Sequence, residues 1–417
     1  MLTAALQLVI PRFSSSMVLL LVLLVPGCWS ASPAVIEPAP DLPWDQLLVQ
    51  ARGQTVRIAM WDGDPMINAY MRDEIAPEME REYGIRLQVV GLFGAGIVNR
   101  LMVEREAGRQ QGDLDVVWIN GETFYQLRQI DALYGPFTDR LPNGSGIDWR
   151  NPFIASDFQQ PIEGFECPWG NVQFVMISHR ERVPVPPRTI EELEAWVRAH
   201  PGRFTLDQSF TGMTFLKCLL AELAGGQDSL DGPFDEGEYL AVSKKLWARL
   251  RQMQPDFWRR GETFPESVAQ LHQLFANNEV DFTMSNNDGE VDNKVLQGVL
   301  PEGAFGYLWR SGTIRNTHYL GIPRNATRKA AALVLINHLI SPEAQWRKAL
   351  PAVWGDGTVL DESRLATPWK ERFRELEGRT RVPPRAELER VALLEPAPEV
   401  MLRLHADFRR EMIERGR

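Results

Sequence analysis

Short apolar segments alternate with amphipathic ones along the first third of the chain, and this alternation limits the possible folds more than any other feature. The apolar segments are short enough to be buried strands and the amphipathic segments long enough to be helices. Strands are expected at 56–60, 86–90 and 114–119, and helices at 65–83, 97–107 and 123–130. This βαβαβ order predicts an α/β fold with a parallel sheet.

A second unit of mixed elements follows. Its first helix begins at Thr189, because Thr189 and Glu192 have the spacing of a capping box. The expected strands are 172–177, 280–284, 305–309 and 318–322, and the later helices are 212–223, 236–253, 265–276 and 326–340. The charged, proline-containing remainder predicts helices wrapped around the outside.

The N-terminus is typical of an exported protein. Residues Met17–Val25 form an unbroken apolar run, which is too short for a permanent membrane span. The run ends near Cys28 in a sequence that resembles the lipobox of bacterial lipoproteins. We therefore expect residues 1–28 to be a lipoprotein signal peptide and Cys28 to carry the lipid. The alternative is an ordinary cleaved signal with an unmodified Cys28.

A segment rich in proline, alanine and serine follows Cys28, and residues 29–50 are expected to tether the folded body to the lipid. Folding should begin near Trp44. The rest of the chain has no stretch suited to span a membrane, so the mature protein should be held at the membrane surface by lipid alone.

Length and charge narrow the class of protein. A mature chain of roughly 390 residues is too long for one compact core and favours two domains. With 55 acidic and 45 basic residues, the net charge is −10, and no basic stripe suited to nucleic acid is present. Cys167 and Cys218 either form one disulfide or remain two buried thiols.

Motifs for enzyme chemistry are missing from the sequence. It has no nucleophile elbow, zinc-binding helix, phosphate-binding lysine loop or Cys-x-x-Cys pair, and its six histidines are scattered. No metal or cofactor is therefore expected. The enzyme alternative is a secreted lipoprotein hydrolase that uses a carboxylate pair such as Asp62 with Glu122. A third possibility is a structural envelope lipoprotein without a ligand.

Polar and aromatic residues cluster where three predicted strands end. The junctions are Trp61 to Asp64, Asn120 to Glu122, and Ser285 to Asp288. Such residues also suit turns and helix caps. Open parallel sheets, however, bind ligands beyond the carboxyl ends of their strands, so three such junctions favour a binding cleft.

These junctions belong to a longer resemblance that extends in order over most of residues 55–350. The pieces that carry it are 115–122 (DVVWINGE), 134–137 (YGPF), 168–170 (PWG), 317–326 (THYLGIPRNA) and 335–344 (LINHLISPEA). They resemble the solute-binding proteins of ABC importers in the polyamine, thiamine and iron cluster, above all the YnjB-type thiamine-class binding lipoproteins.

The resemblance implies a two-lobed periplasmic-binding-protein fold of type II, hinged by two strand crossings at 167–171 and 311–319. Lobe 1 would comprise 51–167 plus 315–350, and lobe 2 would comprise 168–314 plus 351–417. It also implies a monomer that delivers a small molecule to the transmembrane subunits of a permease. The implied ligand-binding residues are Trp61, Asp62, Asn120, Glu122, Trp169, Asn171, Thr211, Asn286, Asp288, Asn316 and His318.

The same residues favour a cationic, ring-containing ligand similar to thiamine. Trp61 and Trp169 would offer ring faces to a cation beside the carboxylates of Asp62, Glu122 and Asp288. A polyamine is disfavoured, because His318 stands where polyamine binders have an aspartate. Ferric ion is disfavoured, because relatives that hold it use closely spaced tyrosines, whereas this chain has only seven tyrosines and none are adjacent. Sugars remain an alternative. Arg310 and Arg315 lie close enough to the second crossing to serve an anionic group of the ligand.

Overall fold

The computed structural model describes residues 41–226, 230–376 and 379–415. Within them the chain forms twelve strands and sixteen α-helices, joined by short 3₁₀ and π turns. The strands are β1 (Thr55–Met60), β2 (Arg86–Gly91), β3 (Val116–Ile119), β4 (Leu133–Tyr134), β5 (Ser156–Asp157), β6 (Gln160–Pro161), β7 (Glu166–Gln173), β8 (Val175–His179), β9 (Phe282–Ser285), β10 (Ala304–Tyr307), β11 (Thr313–Pro323) and β12 (Ala392–Leu393).

The helices agree closely with the periodicity of the sequence. Continuous helical structure covers Pro65 to Tyr83, as expected, with two π-helical segments inside it. The α-helices are α1 (Trp44–Ala51), α2 (Pro65–Ala69), α3 (Ala76–Glu78), α4 (Ala95–Glu106), α5 (Gly121–Gln129), α6 (Pro152–Ala155), α7 (Ile190–Ala199), α8 (Phe210–Ala224), α9 (Glu236–Met253), α10 (Val268–Ala276), α11 (Glu290–Leu296), α12 (Lys329–Leu339), α13 (Pro342–Ala349), α14 (Thr367–Arg374), α15 (Arg385–Arg390) and α16 (Pro398–Phe408).

The larger sheet contains the predicted βαβαβ unit. Strand β1 pairs in parallel with both β2 and β3, as expected from the alternating pattern. The long strand β11 returns from the second half of the chain and pairs antiparallel with β3, β4 and β7, and in parallel with β12. The antiparallel pair β7 and β11 thus lies in the two segments expected to cross between lobes.

The smaller sheet is antiparallel, in the order β10, β8, β9. This corrects two expectations. The predicted strand 172–177 is in fact the end of β7 and the start of β8, with Phe174 between them. The strand before Ser285 does not belong to a parallel sheet, so the rule on strand ends does not apply to that junction.

Separate hydrophobic cores lie against the two sheets. One core is built mainly from 174–314 and 388–412, and a second from the larger sheet with α1, α12 and α13. Trp354, Leu365 and Phe373 also pack in the second core, although they follow the change of lobe expected at residue 350.

The described chain begins just before α1, whose Leu47 and Ala51 are buried against α12. Residues from Trp44 onward therefore belong to a packed helix rather than to the tether expected to reach residue 50. The predictions for residues 1–40, including the signal peptide and the lipid at Cys28, lie outside the described residues. Cys167 and Cys218 are two free, buried thiols in different cores. No described helix combines the length and apolar character needed to cross a membrane.

Candidate functional site

The site is organised by β7 and β11, whose pairing contains a bulge. His318 pairs with Gly170, but Tyr319 pairs with Pro168, so Trp169 is the additional residue. Because side chains alternate along a strand, Asn316 and His318 share one face of β11, and Arg315 and Thr317 share the other. We call these the front face and the rear face.

An aromatic group packs against His318 on the front face. The centroid of the His318 ring lies 5.0 Å from that of Trp118, 5.8 Å from that of Trp169 and 5.9 Å from that of Trp354. Trp169 is fully buried and makes edge contacts with both other tryptophans, at 5.2 Å each. Protein therefore occupies the ring faces of Trp169 that the sequence assigned to a ligand, although its indole Nε1 is buried without a hydrogen-bond partner.

A buried charge group holds His318 in place. His318 Nε2 lies 3.1 Å from Asp356 Oδ2, and the same carboxylate forms an ion pair with the fully buried Lys348. Burial alone would raise the pKa of Asp356, but Lys348 and His318 lower it below its ordinary value. Gly170 permits this approach, because a Cβ there would lie 2.2 Å from Asp356 Oδ2.

A second charge group lies further along the front face and contains more carboxylates than cations. We call Glu122, Asp157, Glu395 and Lys217 the acidic cluster. Lys217 is fully buried and ion-paired with Glu395, whose other oxygen accepts a 3.0 Å hydrogen bond from Asn316. Asp157 accepts from the backbone N–H of Gly121 at 2.5 Å.

Burial dominates the electrostatics of the acidic cluster. It raises the pKa of Glu122, Asp157 and Glu395 above their ordinary values, and the shift is large for Asp157. Lys217 lowers each of these pKa values, but not enough to reverse the shift. Oε2 of Glu122 is buried without a hydrogen-bond partner. One ammonium thus only partly compensates two buried carboxyl groups and the half-buried Glu122.

Aromatic rings complete the surroundings of Lys217. Its Nζ lies 4.5 Å from the ring centroid of Phe158 and 5.1 Å from that of Phe210. Sequence reasoning missed Lys217, Glu395 and Asp157. A signal for Lys217 was present, since it is the single charged residue in the otherwise apolar run from Phe215 to Ala221 of α8. Glu395 had no such signal, because only the fold brings the C-terminal segment to β11.

The start of α8 contributes a polar pair. Asn286 follows β9 and donates from Nδ2 to Thr211 Oγ1 at 3.0 Å, so two predicted residues do meet. Asn286 Oδ1 and the nearby Asp207 Oδ2 are buried without partners. Buried polar atoms are nearly always hydrogen-bonded in folded proteins. These two acceptors and Glu122 Oε2 are therefore exceptions to that rule in the described structure.

The junctions after β1 and β3 remain accessible. Trp61 and Asn120 are half-buried, and Asp62 is exposed. The ring of Trp61 folds over Gly63, where a Cβ would lie 2.5 Å from it, and the carboxylate of Asp62 lies against Gly91. Asn120 makes no side-chain cap for α5.

Two predicted ligand residues belong instead to the rear face. Asn171 bonds Thr317 and Arg315, and Asp288 accepts from the backbone N–H of Gln173 at 2.9 Å. The carboxylate of Asp288 also forms an ion pair with Arg379, which lowers its pKa despite burial. Its charge is thus already compensated by Arg379, and it bonds the backbone of β7 rather than the front-face carboxylates. In the described chain no cluster of potential ligands suits a metal ion.

Comparisons with known proteins agree on one family. Residues 74–373 match the family described as bacterial extracellular solute-binding protein. The chain is 37% identical over 332 residues to protein YnjB of Escherichia coli strain K12, covering 79% of this chain and 85% of that protein.

Solved structures show the same fold at lower identity. An ABC transporter substrate-binding protein from Bradyrhizobium japonicum USDA 110 aligns with a TM-score of 0.62 and 17% identity, covering 85% of this chain and 99% of that one. The spermidine/putrescine substrate-binding protein PotD from Streptococcus pneumoniae aligns with a TM-score of 0.57 and 15% identity, covering 86% and 99%. The expected two-lobed binding-protein fold is thereby confirmed.

Proposed function

Since the chain belongs to the bacterial extracellular solute-binding proteins, we propose that it serves an ABC importer and that its cargo is a cationic, ring-containing molecule of the thiamine type. The molecule would be captured between the lobes against the front face of β7 and β11. Closure of the lobes around it would present the complex to the permease.

The observation that carries the proposal is the excess of carboxyl groups in the acidic cluster. Glu122 has a buried, unpartnered oxygen, and Lys217 is already engaged by Glu395. A cation placed beside Glu122 would supply the missing counter-charge and would be attracted most strongly where water is excluded. An anion at the same place would meet like charge. The half-buried ring of Trp61 offers a further surface for a cationic ring.

The test is a calorimetric and thermal-shift panel of thiamine, its phosphates, choline, putrescine, glucose and acetate. Thiamine or another ring-bearing cation should bind tightest, and Glu122→Gln should weaken it at least about tenfold, as expected for losing a charge-assisted contact. Glu80→Gln is the matched control, because Glu80 is exposed on the helix before β2.

The opposite outcome is equally specific. If glucose or acetate binds tightest, and Glu122→Gln binds it as well as the native protein does, the cationic cargo is wrong. Tight sugar binding alone would favour the alternative of tryptophan rings stacked on a sugar.

Attachment by lipid at Cys28 is part of the same proposal. The support is the apolar run before Cys28 and the lipobox-like residues that end it. Cys28→Ser should move the protein from the membrane to the soluble fraction without changing its melting temperature. Mass spectrometry of the native protein should show the acyl chains, and their absence would contradict the anchor.

We also propose that the protein makes or breaks no bond in its cargo. In the hydrolase alternative Asp62 would act with Glu122, but Asp62 is exposed, whereas Glu122 lies in the acidic cluster beside Lys217 and Glu395. Incubation with a bound ligand should return it chemically unchanged by mass spectrometry. A product that disappears in Glu122→Gln would establish the hydrolase instead.

A further inference from the structure

A large polar cavity lies against the rear face of β11 and beside Asn171 of β7, away from the acidic cluster. Its volume is about 870 Å³, and its walls come from β7, β11, the segment 356–362 and the chain from Arg379 to Glu389. A smaller adjoining pocket shares Asn171, Arg315 and Arg385 with it. The volume is sufficient for a small organic molecule.

Arg315 is the unusual residue in this wall. Only 13% of its side chain is exposed, yet the nearest carboxylate contact is Glu389 at 3.9 Å, and Glu389 is itself 53% exposed. Its Nε donates to Asn171 Oδ1 at 2.5 Å, and its guanidinium lies 5.3 Å from the Phe153 ring. A largely buried guanidinium is therefore fixed in position without a close counter-ion.

Three buried lysines are paired more tightly. Lys217, Lys294 and Lys348 each form a direct ion pair with a carboxylate that is itself buried. Arg379, which also lines the cavity, is likewise engaged by Asp288. The difference matters because a buried charge is costly unless a partner compensates it.

A second arginine adds positive charge at the same place. Arg385 lies 3.6 Å from Glu389, so Arg315 and Arg385 share one exposed carboxylate. Burial is the main reason that the pKa of Arg315 falls to about 10, and the positive charge of Arg385 is the second. Arg315 is still charged at neutral pH. Three other carboxylates of the wall have close partners: Asp356 with Lys348, and Asp148 and Asp361 with Arg364. The last, Glu362, is 49% exposed and lies 4.0 Å from Arg374.

We propose that this rear cavity is a second ligand site, which binds a small molecule through a compact oxyanion, carboxylate or phosphate, held between Arg315 and Arg385. Planar guanidinium groups match the geometry of both oxyanions and bind them with two parallel hydrogen bonds. Asn171 orients Arg315, and Glu389 is the group that the anion displaces. The site is independent of the cargo proposed for the front face.

The test is calorimetry of the whole protein with inorganic phosphate and with malonate, at constant ionic strength set by sodium chloride. One saturable site is expected, and the tighter of the two probes identifies the oxyanion. Arg385→Gln should weaken binding about tenfold or more. Because Arg385 is 42% exposed, this variant should fold, whereas Arg315→Gln serves as a second variant with its melting curve measured alongside.

Two controls make the result decisive. Arg409→Gln removes an exposed arginine remote from the cavity and should leave phosphate and malonate binding unchanged. Glu122→Gln, on the front face, should leave it unchanged as well. The proposal is overturned if neither anion shows saturable binding to the native protein, or if a folded Arg385→Gln binds as tightly as the native protein.

Discussion

The front and rear faces of the same strand pair carry opposite imbalances of charge. On the front, three carboxyl groups surround one ammonium, whereas on the rear Arg315 and Arg385 share one carboxylate. Neighbouring residues of β11 contribute to the two sides, since Asn316 bonds Glu395 and Arg315 faces Glu389. Alternation along a strand thus lets one β-strand place two electrostatically different surfaces a few ångströms apart.

The two faces also differ in how firmly their charges are fixed. Lys217 and Glu395 are almost completely enclosed, with 0% and 6% of their side chains exposed. Glu389 and Arg385 are about half exposed, so water screens them. Substitutions on the front should therefore change stability strongly, whereas substitutions on the rear should change mainly ligand binding.

The largest effect is expected from Lys217→Met, which removes the cation from the front face. The variant leaves the buried carboxylate of Glu395 with only Asn316 as a partner. Breaking a buried pair in this way costs about 3–5 kcal/mol of unfolding free energy. Urea denaturation measures it, and Lys244→Met, at an exposed position of α9, should stay within about 0.5 kcal/mol of the native protein. A loss below about 1 kcal/mol would mean that the cluster is far better hydrated than its burial indicates.

A smaller loss of unfolding free energy is expected from Gly170→Ala, which disturbs the contact of His318 with Asp356 and Lys348. The new methyl group would lie 2.2 Å from Asp356 Oδ2 and 2.3 Å from His318, in a fully packed region. Overpacking of this kind costs about 1–3 kcal/mol. Gly237→Ala, on the exposed side of α9, should instead be neutral or slightly stabilising. Equal effects of the two variants would show that the backbone at Gly170 moves freely.

The pH dependence of stability isolates the carboxyl groups of the front face. The raised pKa of Asp157 means that the folded state holds a proton which the unfolded state has lost, so its contribution to stability falls as pH rises above the ordinary value of 3.8. Asp157→Asn mimics the protonated form and should stabilise the protein on the order of 1 kcal/mol at pH 8, with the gain vanishing toward pH 4. Denaturation of this variant and of the exposed control Glu266→Gln at a series of pH values between 4 and 8 tests whether the gain in unfolding free energy rises with pH. A gain that is constant with pH would contradict the proposed protonation.

The sequence allowed the strand ends to be located but not the partners that face them. Hydrophobic periodicity predicted β1, β2 and β3 and the helices between them, because each pattern is local. Glu395 and Lys348 reach β7 and β11 from distant parts of the chain, and no spacing signals such contacts. The burial of Trp169 was likewise hidden, since it depends on a bulge and on Trp354, more than 180 residues away.

The smallest expected effect distinguishes the rear face from the front most directly. Glu389→Gln removes the carboxylate shared by Arg315 and Arg385. Because Glu389 is half exposed, unfolding free energy should change by less than about 0.5 kcal/mol. Phosphate or malonate should bind about twofold to fivefold tighter, as expected when an exposed ion pair worth roughly 0.2–1 kcal/mol no longer competes with the ligand. Calorimetry measures the gain, with the remote and exposed Glu414→Gln as the control. Weaker binding in Glu389→Gln would show that the glutamate positions the arginines, and would replace competition with preorganisation as the role of this residue.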